Sequence, residues 1–302
     1  MNDDQLFLLC KSLYTSNINI TEYVKKNEIE VDKSKLIEII YELQTGNYIK
    51  YDNDVANSFL RESYCKFYSN ILKLYIRNTF CSIIDCGTGE LTTLKRVFNN
   101  LEHHDNIKIH AIDISLSRLH VGKKNWTQNT LDLPCLLCTD FLNLPFCDNS
   151  FDMLITNHAL EPNRNNEIRI INEFLRVSPL LILFEPSKKV NSLEGIQRMD
   201  SLNFIEEIED IVSKTNGSIE AIHDVPYEYV ANKLNPTRCY VIKRNCHNGN
   251  EIKTQFSFPG TNDKLELLGN NFLYSELHSS VFPIFEGIPI LKINSSIKFV
   301  LP

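Results

Sequence analysis

The segment that most restricts this chain is Ile83-Ile84-Asp85-Cys86-Gly87-Thr88-Gly89-Glu90-Leu91, where an apolar strand runs into a glycine-bearing turn and a helix begins near Thr92. Glycine lets the backbone bend sharply and bring its N–H groups close to a ligand. The surrounding pattern alternates in the same way. A helix is predicted over 58–77, with strands near 81–85, 107–112, 135–138, 152–156 and 180–184. Two more strands, near 219–224 and 239–243, follow a helix predicted over 200–214. Strands alternating with helices imply βαβ units and a mostly parallel α/β sheet covered on both faces. The last two strands are joined through Pro226 and Pro236 and suit an antiparallel pair at the sheet edge.

The chain of 302 residues has room for more than this one domain, which the pattern places at 58–245. Residues 1–57 read as a small helical module. Asp32 can cap a helix over 33–45 whose Leu36, Ile39, Ile40 and Leu43 share one face, with Gly46 suited to its end. With a helix over 21–26 and an extended Tyr48–Tyr51, the module looks like a winged helix-turn-helix. Residues 1–60 hold six lysines and no arginine against ten acidic side chains, however, a net charge of −4. That balance disfavours nucleic acid, because phosphate neutralisation is what drives such binding. A homodimer contact or a lid over a substrate fits better. Residues 246–302 are β-leaning and read as a separate small unit.

No apolar run exceeds five residues, Leu180–Phe184 being one of that length, whereas a membrane-spanning helix needs about 20. The start of the chain is acidic where a targeting peptide would be basic. Nine cysteines without a framework pattern read as reduced thiols, and a cytoplasmic location is expected. Cys135-x-x-Cys138 has zinc-like spacing but falls in a buried strand with no second pair, so no metal is expected.

Acidic residues recur at strand ends. Asp85 precedes the glycines, where it would repel a phosphate but accept from a ligand ammonium. Asp113 ends the second strand, in Ala111-Ile112-Asp113-Ile114-Ser115, where a carboxylate can hold a ribose diol. Asp140-Phe141 follows the third strand and can accept from an adenine amino group and flank its ring.

In this order, Asp85-x-Gly87-x-Gly89, Ala111–Ser115, Asp140-Phe141 with Leu144-Pro145-Phe146, Asn149-Ser150-Phe151-Asp152, and Arg176-Val177 resemble the class I S-adenosylmethionine-dependent methyltransferases. Within them the likeness is to the group that includes ubiquinone and menaquinone methyltransferases. It is firm over 80–185 and looser over 60–245. One departure is Leu91, which stands in place of the usual third glycine. The resemblance implies a Rossmann-like seven-stranded sheet. It also implies Asp85, Gly87 and Gly89 at the methionine end of S-adenosylmethionine, Asp113 at its ribose, and Asp140 and Phe141 at its adenine. Ile114 and Asn157 complete the candidate cofactor contacts. In the tail, Val281–Leu291 is similar to the end of a small zinc-ribbon-like domain that accompanies some RNA and protein methyltransferases. That family's paired cysteines are missing, so such a tail would rest on its own apolar core.

Ligands on open α/β sheets bind beyond the carboxyl ends of the strands. His158 and Glu161 follow the fourth strand and Glu185 ends the fifth, making these three the candidate catalytic residues. Histidine suits a general base, and the two glutamates would favour an amine-bearing acceptor. The sequence therefore reads as a methyltransferase acting on nitrogen or oxygen of a small polar metabolite. The alternatives are an RNA- or protein-modifying methyltransferase and an inactive cofactor-binding partner protein.

Overall fold

The computed structural model describes all residues except 53–54, 59–61, 77–80, 102–105, 127–131, 206, 246–253 and 302, with backbone alone for 50–52 and 55–58. The N-terminal module has three helices, α1 (Asp3–Thr15), α2 (Ile20–Lys26) and α3 (Lys33–Leu43), then an antiparallel pair, β1 (Ile49–Asp52) and β2 (Val55–Ser58). Asp32 caps α3, its side chain accepting from the Lys35 N–H at 2.8 Å. Leu36 and Ile39 are buried beside Leu6, Cys10 and Leu13 of α1. The helix ends at Leu43 rather than at 45, and Gly46 lies beyond it in a turn with φ +88.

The main sheet joins β3 (Cys81–Cys86), β4 (Ile107–Asp113), β5 (Cys135–Cys138), β6 (Met153–Asn157), β7 (Leu180–Pro186), β8 (Gly217–Asp224) and β9 (Thr237–Arg244). Their order is β5-β4-β3-β6-β7-β9-β8, with β9 antiparallel to both neighbours and the other pairs parallel. This is the Rossmann-like seven-stranded sheet expected. Helices cover both faces, which is why the central strands are continuous apolar runs. Alternate residues sort to opposite sides: Ile83 and Ile182 pack with α4 (Glu62–Tyr75), α5 (Thr92–Asn99) and α6 (Leu116–Trp126). Ile84, Leu181 and Leu183 pack with α7 (Glu167–Val177) and α9 (Ile208–Val212). Strand order reverses between β4–β3 and β6, so a crevice opens at the carboxyl edge there.

The helix expected over 200–214 is two helices, α8 (Leu193–Ser201) and α9. Asn203 is left-handed, φ +55, and ends the first. The Ile205 N–H then bonds the Glu161 carbonyl at 3.1 Å instead of continuing a helix. Arg176 organises the 144–148 loop by donating to the Phe146 and Leu144 carbonyls and to Asp148.

The tail is β-structured, with β10 (Glu266–Leu268), β11 (Phe272–Ser275), β12 (Ser280–Phe285), β13 (Ile288–Pro289) and β14 (Ile297–Lys298) in one small antiparallel sheet. Its apolar core is not its own, which corrects the sequence reading. Leu265, Leu273, Phe282 and Leu291 belong to the same cluster as Phe146, Phe151 and Leu137 of the main domain. The Leu291 N–H bonds the Cys138 carbonyl at 2.8 Å, so the tail docks on the edge strand β5. His278 stacks on Phe258 and pairs with Asp263 at 2.9 Å; Cys246 and His247 lie outside the described residues. Among the described residues no group of three metal-ligating side chains occurs, every cysteine is a free thiol, and no helix is long and apolar enough to cross a membrane.

Lys292 ties the tail to the N-terminal module through a nearly buried pair with Glu38 of α3, at 2.7 Å. Lys292→Met leaves Glu38 with the longer contact to Lys35, at 3.4 Å. Removing one partner of a buried polar pair should lower the unfolding free energy by about 1–3 kcal/mol. Thermal melting reads the loss, and an unchanged melting temperature would show that the pair holds nothing.

Candidate active site

The crevice at the carboxyl edge is closed into a cavity of about 420 Å³. Its floor is the strand-end loops. Gly87 and Thr88 follow β3, Asp113 ends β4 with Ile114 next to it, and Asp140 and Phe141 follow β5. Asn157 ends β6, and His158, Ala159 and Glu161 follow it. Its roof is the N-terminal module, through Ser34, Ile37 and Tyr41 of α3 and Tyr48 beyond it. Arg198 of α8, Asn235 between β8 and β9, and Thr237 at the start of β9 close the remaining side.

The turn after β3 is shaped by its glycines. Gly87 has φ +79, and a Cβ there would lie 2.3 Å from the Ala159 Cβ, so only glycine lets the β3 and β6 loops meet. Leu91, in the place of a third glycine, takes the left-handed conformation itself (φ 60) with its side chain buried. Gly122 of α6 makes room for it: a Cβ there would lie 2.8 Å from Leu91 Cγ.

Asp113 ties the turn to the second strand. One carboxylate oxygen accepts from the Gly89 N–H at 2.8 Å and the other from the Ser115 N–H at 2.9 Å. Asp140 spends one oxygen on the N–H groups of Leu142 and Asn143, at 2.8 and 3.2 Å, leaving the other to the cavity. Phe141 is held edge-to-face on Phe174, centroids 5.3 Å apart.

In the loop after β6, His158 sits in left-handed backbone (φ 54), which presents its ring between two loops. Its Nδ1 lies 2.7 Å from Glu161 Oε1 and its Nε2 2.7 Å from Thr237 Oγ1. Asn235 Nδ2 donates to the same Glu161 oxygen at 3.0 Å. Burial opposes the imidazolium, but the hydrogen bond and charge of Glu161, backed by Glu185, outweigh it and raise the histidine above its ordinary pKa.

Three predicted site residues stand elsewhere. Glu185 is fully buried and does not line the cavity. It accepts from Thr156 Oγ1 at 2.8 Å and from the Ala159 and Leu160 N–H groups at 3.1 and 3.3 Å, so it holds the β6 loop from beneath. Burial, resisted by the His158 charge, lifts its carboxyl to about 7. Gly89 is also off the wall, because the Arg118 guanidinium packs over it; a Cβ would lie 2.4 Å from Arg118 Nη2. Asp85 faces a much smaller adjoining cavity, about 20 Å³, beside Tyr68, Thr93 and Asn157. Burial raises it to about 7, against a hydrogen bond from Thr88.

Sequence reasoning missed Arg118, Tyr41, Tyr48, Glu90 and Arg198. Arg118 carries the roof: its guanidinium lies 5.2 Å from the Tyr41 ring centroid and 4.8 Å from that of Tyr48, while Glu90 accepts from the Gly46 N–H at 2.7 Å. A cation one turn after the second strand's acidic end, with Tyr41 in an otherwise amphipathic N-terminal helix and Tyr48 just beyond it, was the signal available.

A family model for a methyltransferase domain matches residues 78–248, more than half of the chain. The chain belongs to this methyltransferase-domain family. Among solved structures, magnesium protoporphyrin IX methyltransferase from Synechocystis PCC 6803 with bound SAM has a TM-score of 0.51 at 14% identity, covering 72% of this chain and 99% of that one. A SAM-dependent methyltransferase from Aquifex aeolicus gives 0.43 at 15% identity, covering 58% and 89%. No curated protein matches the sequence. The methyltransferase uses S-adenosylmethionine. Its cavity wall fits that cofactor: Glu90 Oε2 is buried and unpartnered among the described residues, and Asp113 and Asp140 retain acceptor capacity beside an aromatic ring.

Because Glu185 supports the β6 loop, Glu185→Ala should leave three donors without an acceptor and cost about 1–3 kcal/mol. The group's folded pKa lies above its unfolded value, so its own titration favours the fold at acid pH and that contribution is lost as pH rises through about 7. Melting curves on both sides of that pH check the claim; an unaltered melting temperature would refute the supporting role.

Proposed function

We propose that this methyltransferase methylates a nitrogen or oxygen of a small polar molecule, with His158 and Glu161 serving the acceptor. The carrying observation is the His158 ring on the wall of a roofed cavity, 2.7 Å from Glu161 on one nitrogen and 2.7 Å from the Thr237 hydroxyl on the other. On this reading Asp113, with Ile114, takes the ribose, Asp140 and Phe141 take the adenine, and Gly87, Thr88, Glu90 and Asn157 surround the methionine portion. When bound, S-adenosylmethionine supplies a methyl whose bond to sulfur breaks, leaving its electron pair on sulfur, as the acceptor's lone pair attacks.

The protein's own residues do the remaining work. Glu161 accepts a hydrogen bond from the Nδ1–H of His158, which keeps the proton on Nδ1 and leaves Nε2 as the basic nitrogen. Nε2 then removes the acceptor's proton, directly or through the Thr237 hydroxyl. The module roof excludes water and fixes the acceptor, and alignment of nucleophile and methyl is worth about 7–11 kcal/mol as effective molarity. A chamber roofed by the chain's own helix suits a small molecule better than a polymer lying along a surface.

The test is mass spectrometry of cell extracts incubated with isotopically labelled S-adenosylmethionine and the protein. Label in low-mass products is expected. Label confined to RNA or protein fractions would replace this reading with the macromolecular one, and no label in any fraction would favour an inactive binding protein.

A further inference from the structure

The acceptor side of the cavity presents two buried polar atoms without partners among the described residues. One is a donor, Arg198 Nη1, and the other an acceptor, Asn235 Oδ1. Arg198 stands on α8 with its guanidinium 5.8 Å from the Phe204 ring centroid. The following Ile205 N–H is bonded to the Glu161 carbonyl, so the segment carrying Arg198 is anchored to the loop that carries the His158–Glu161 pair. Nearby carboxylates are already engaged elsewhere: Asp200 pairs with Lys188 at 2.6 Å, and Glu161 with His158 and Asn235. No carboxylate among the described residues pairs with Arg198. A buried guanidinium nitrogen with nothing to bond, on a residue that lines the cavity, is costly unless a ligand completes it. Its planar fork matches the oxygens of a carboxylate or phosphate. Glu161 and Asn235 Oδ1, on the same cavity wall, offer acceptors to an N–H or O–H.

We infer that the methyl acceptor carries an anionic group, a carboxylate or a phosphomonoester, held by Arg198, while its amine or hydroxyl is held at Asn235, Glu161 and His158. This deepens the proposed function and rests on it. The paired features describe a compact, often zwitterionic molecule and disfavour a simple amine or alcohol.

The probes are sodium acetate and sodium phosphate, titrated calorimetrically at constant ionic strength into protein saturated with S-adenosylhomocysteine. At least one anion should bind the wild type with a millimolar Kd, as suits so small a ligand. The tighter of the two identifies carboxylate or phosphate as the recognised group. Arg198→Met should weaken that binding by about 10- to 100-fold, the range of a lost charge-assisted hydrogen bond. Arg198→Lys should recover part of it, because the charge returns without the fork. Unchanged affinity for S-adenosylhomocysteine shows that each variant is folded. Failure of both anions to bind the wild type, or equal binding by Arg198→Met, overturns the inference. Anion binding through Arg198 with no label in low-mass products would leave the anion site standing and remove the proposed function instead.

Discussion

His158→Ala should lower kcat by about 10²–10⁴-fold, the range for a lost general base, with affinity for S-adenosylhomocysteine unaltered. The ring is braced on both nitrogens, by Glu161 and Thr237, and stands on the wall formed by the β6 loop and the β8–β9 connection. The base acts only when neutral. Because the Glu161 hydrogen bond and charge hold the imidazolium above the ordinary histidine pKa despite burial, turnover should rise with pH through an apparent pKa above 6.5. Glu161→Gln removes the raising influence and keeps the burial, so the rising limb should move to lower pH. A histidine that merely fastens two loops together would shift melting temperature and leave the position of that limb in place. Full turnover in His158→Ala would discard the assignment.

Asp113→Ala should weaken binding of S-adenosylmethionine and S-adenosylhomocysteine by about 10- to 150-fold, from about 1.5–3 kcal/mol for hydrogen bonds to a charged group. The carboxylate has two tasks. It faces the cavity, and it also joins the Gly89 N–H of the β3 turn to the Ser115 N–H at the start of α6. On the proposed reading, losing it both removes an acceptor for the ribose and loosens the turn beside the methionine portion. Asp113→Asn keeps the shape and one acceptor oxygen, so its loss should be smaller. Calorimetry with S-adenosylhomocysteine separates the two variants, and undiminished affinity in Asp113→Ala would take Asp113 out of the cofactor seat.

The sheet and the strand-end wall of the cavity were legible in the sequence because both depend on local pattern. Strands covered on both faces must be continuous apolar runs, and those runs end at Cys86, Asp113, Cys138, Asn157 and Pro186, within two residues of the expected positions. Once the strands are parallel, their carboxyl ends share one edge, so Asp113, Asp140 and His158 come to one crevice without any knowledge of side-chain contacts. The Asp32 cap is local in the same sense, one side chain meeting an N–H three residues on.

Which way each side chain turns at that edge was settled only by tertiary structure. Glu161 and Glu185 read alike as strand-end carboxylates. Three donors of the folded β6 loop draw Glu185 beneath it, whereas Glu161 finds His158 and Asn235 on the cavity side. Gly89 is covered because Arg118 reaches over it to two tyrosines of the N-terminal module, a contact between residues some seventy positions apart. The tail shares the main core because the edge strand β5 offers an unpaired carbonyl at Cys138 to Leu291. Local sequence sets backbone periodicity and chain reversal, which a few neighbouring residues decide. The burial of a charge, the cover over a cavity and the pairing of a sheet edge depend on what distant segments bring within hydrogen-bonding range, and that exists only once the chain has folded.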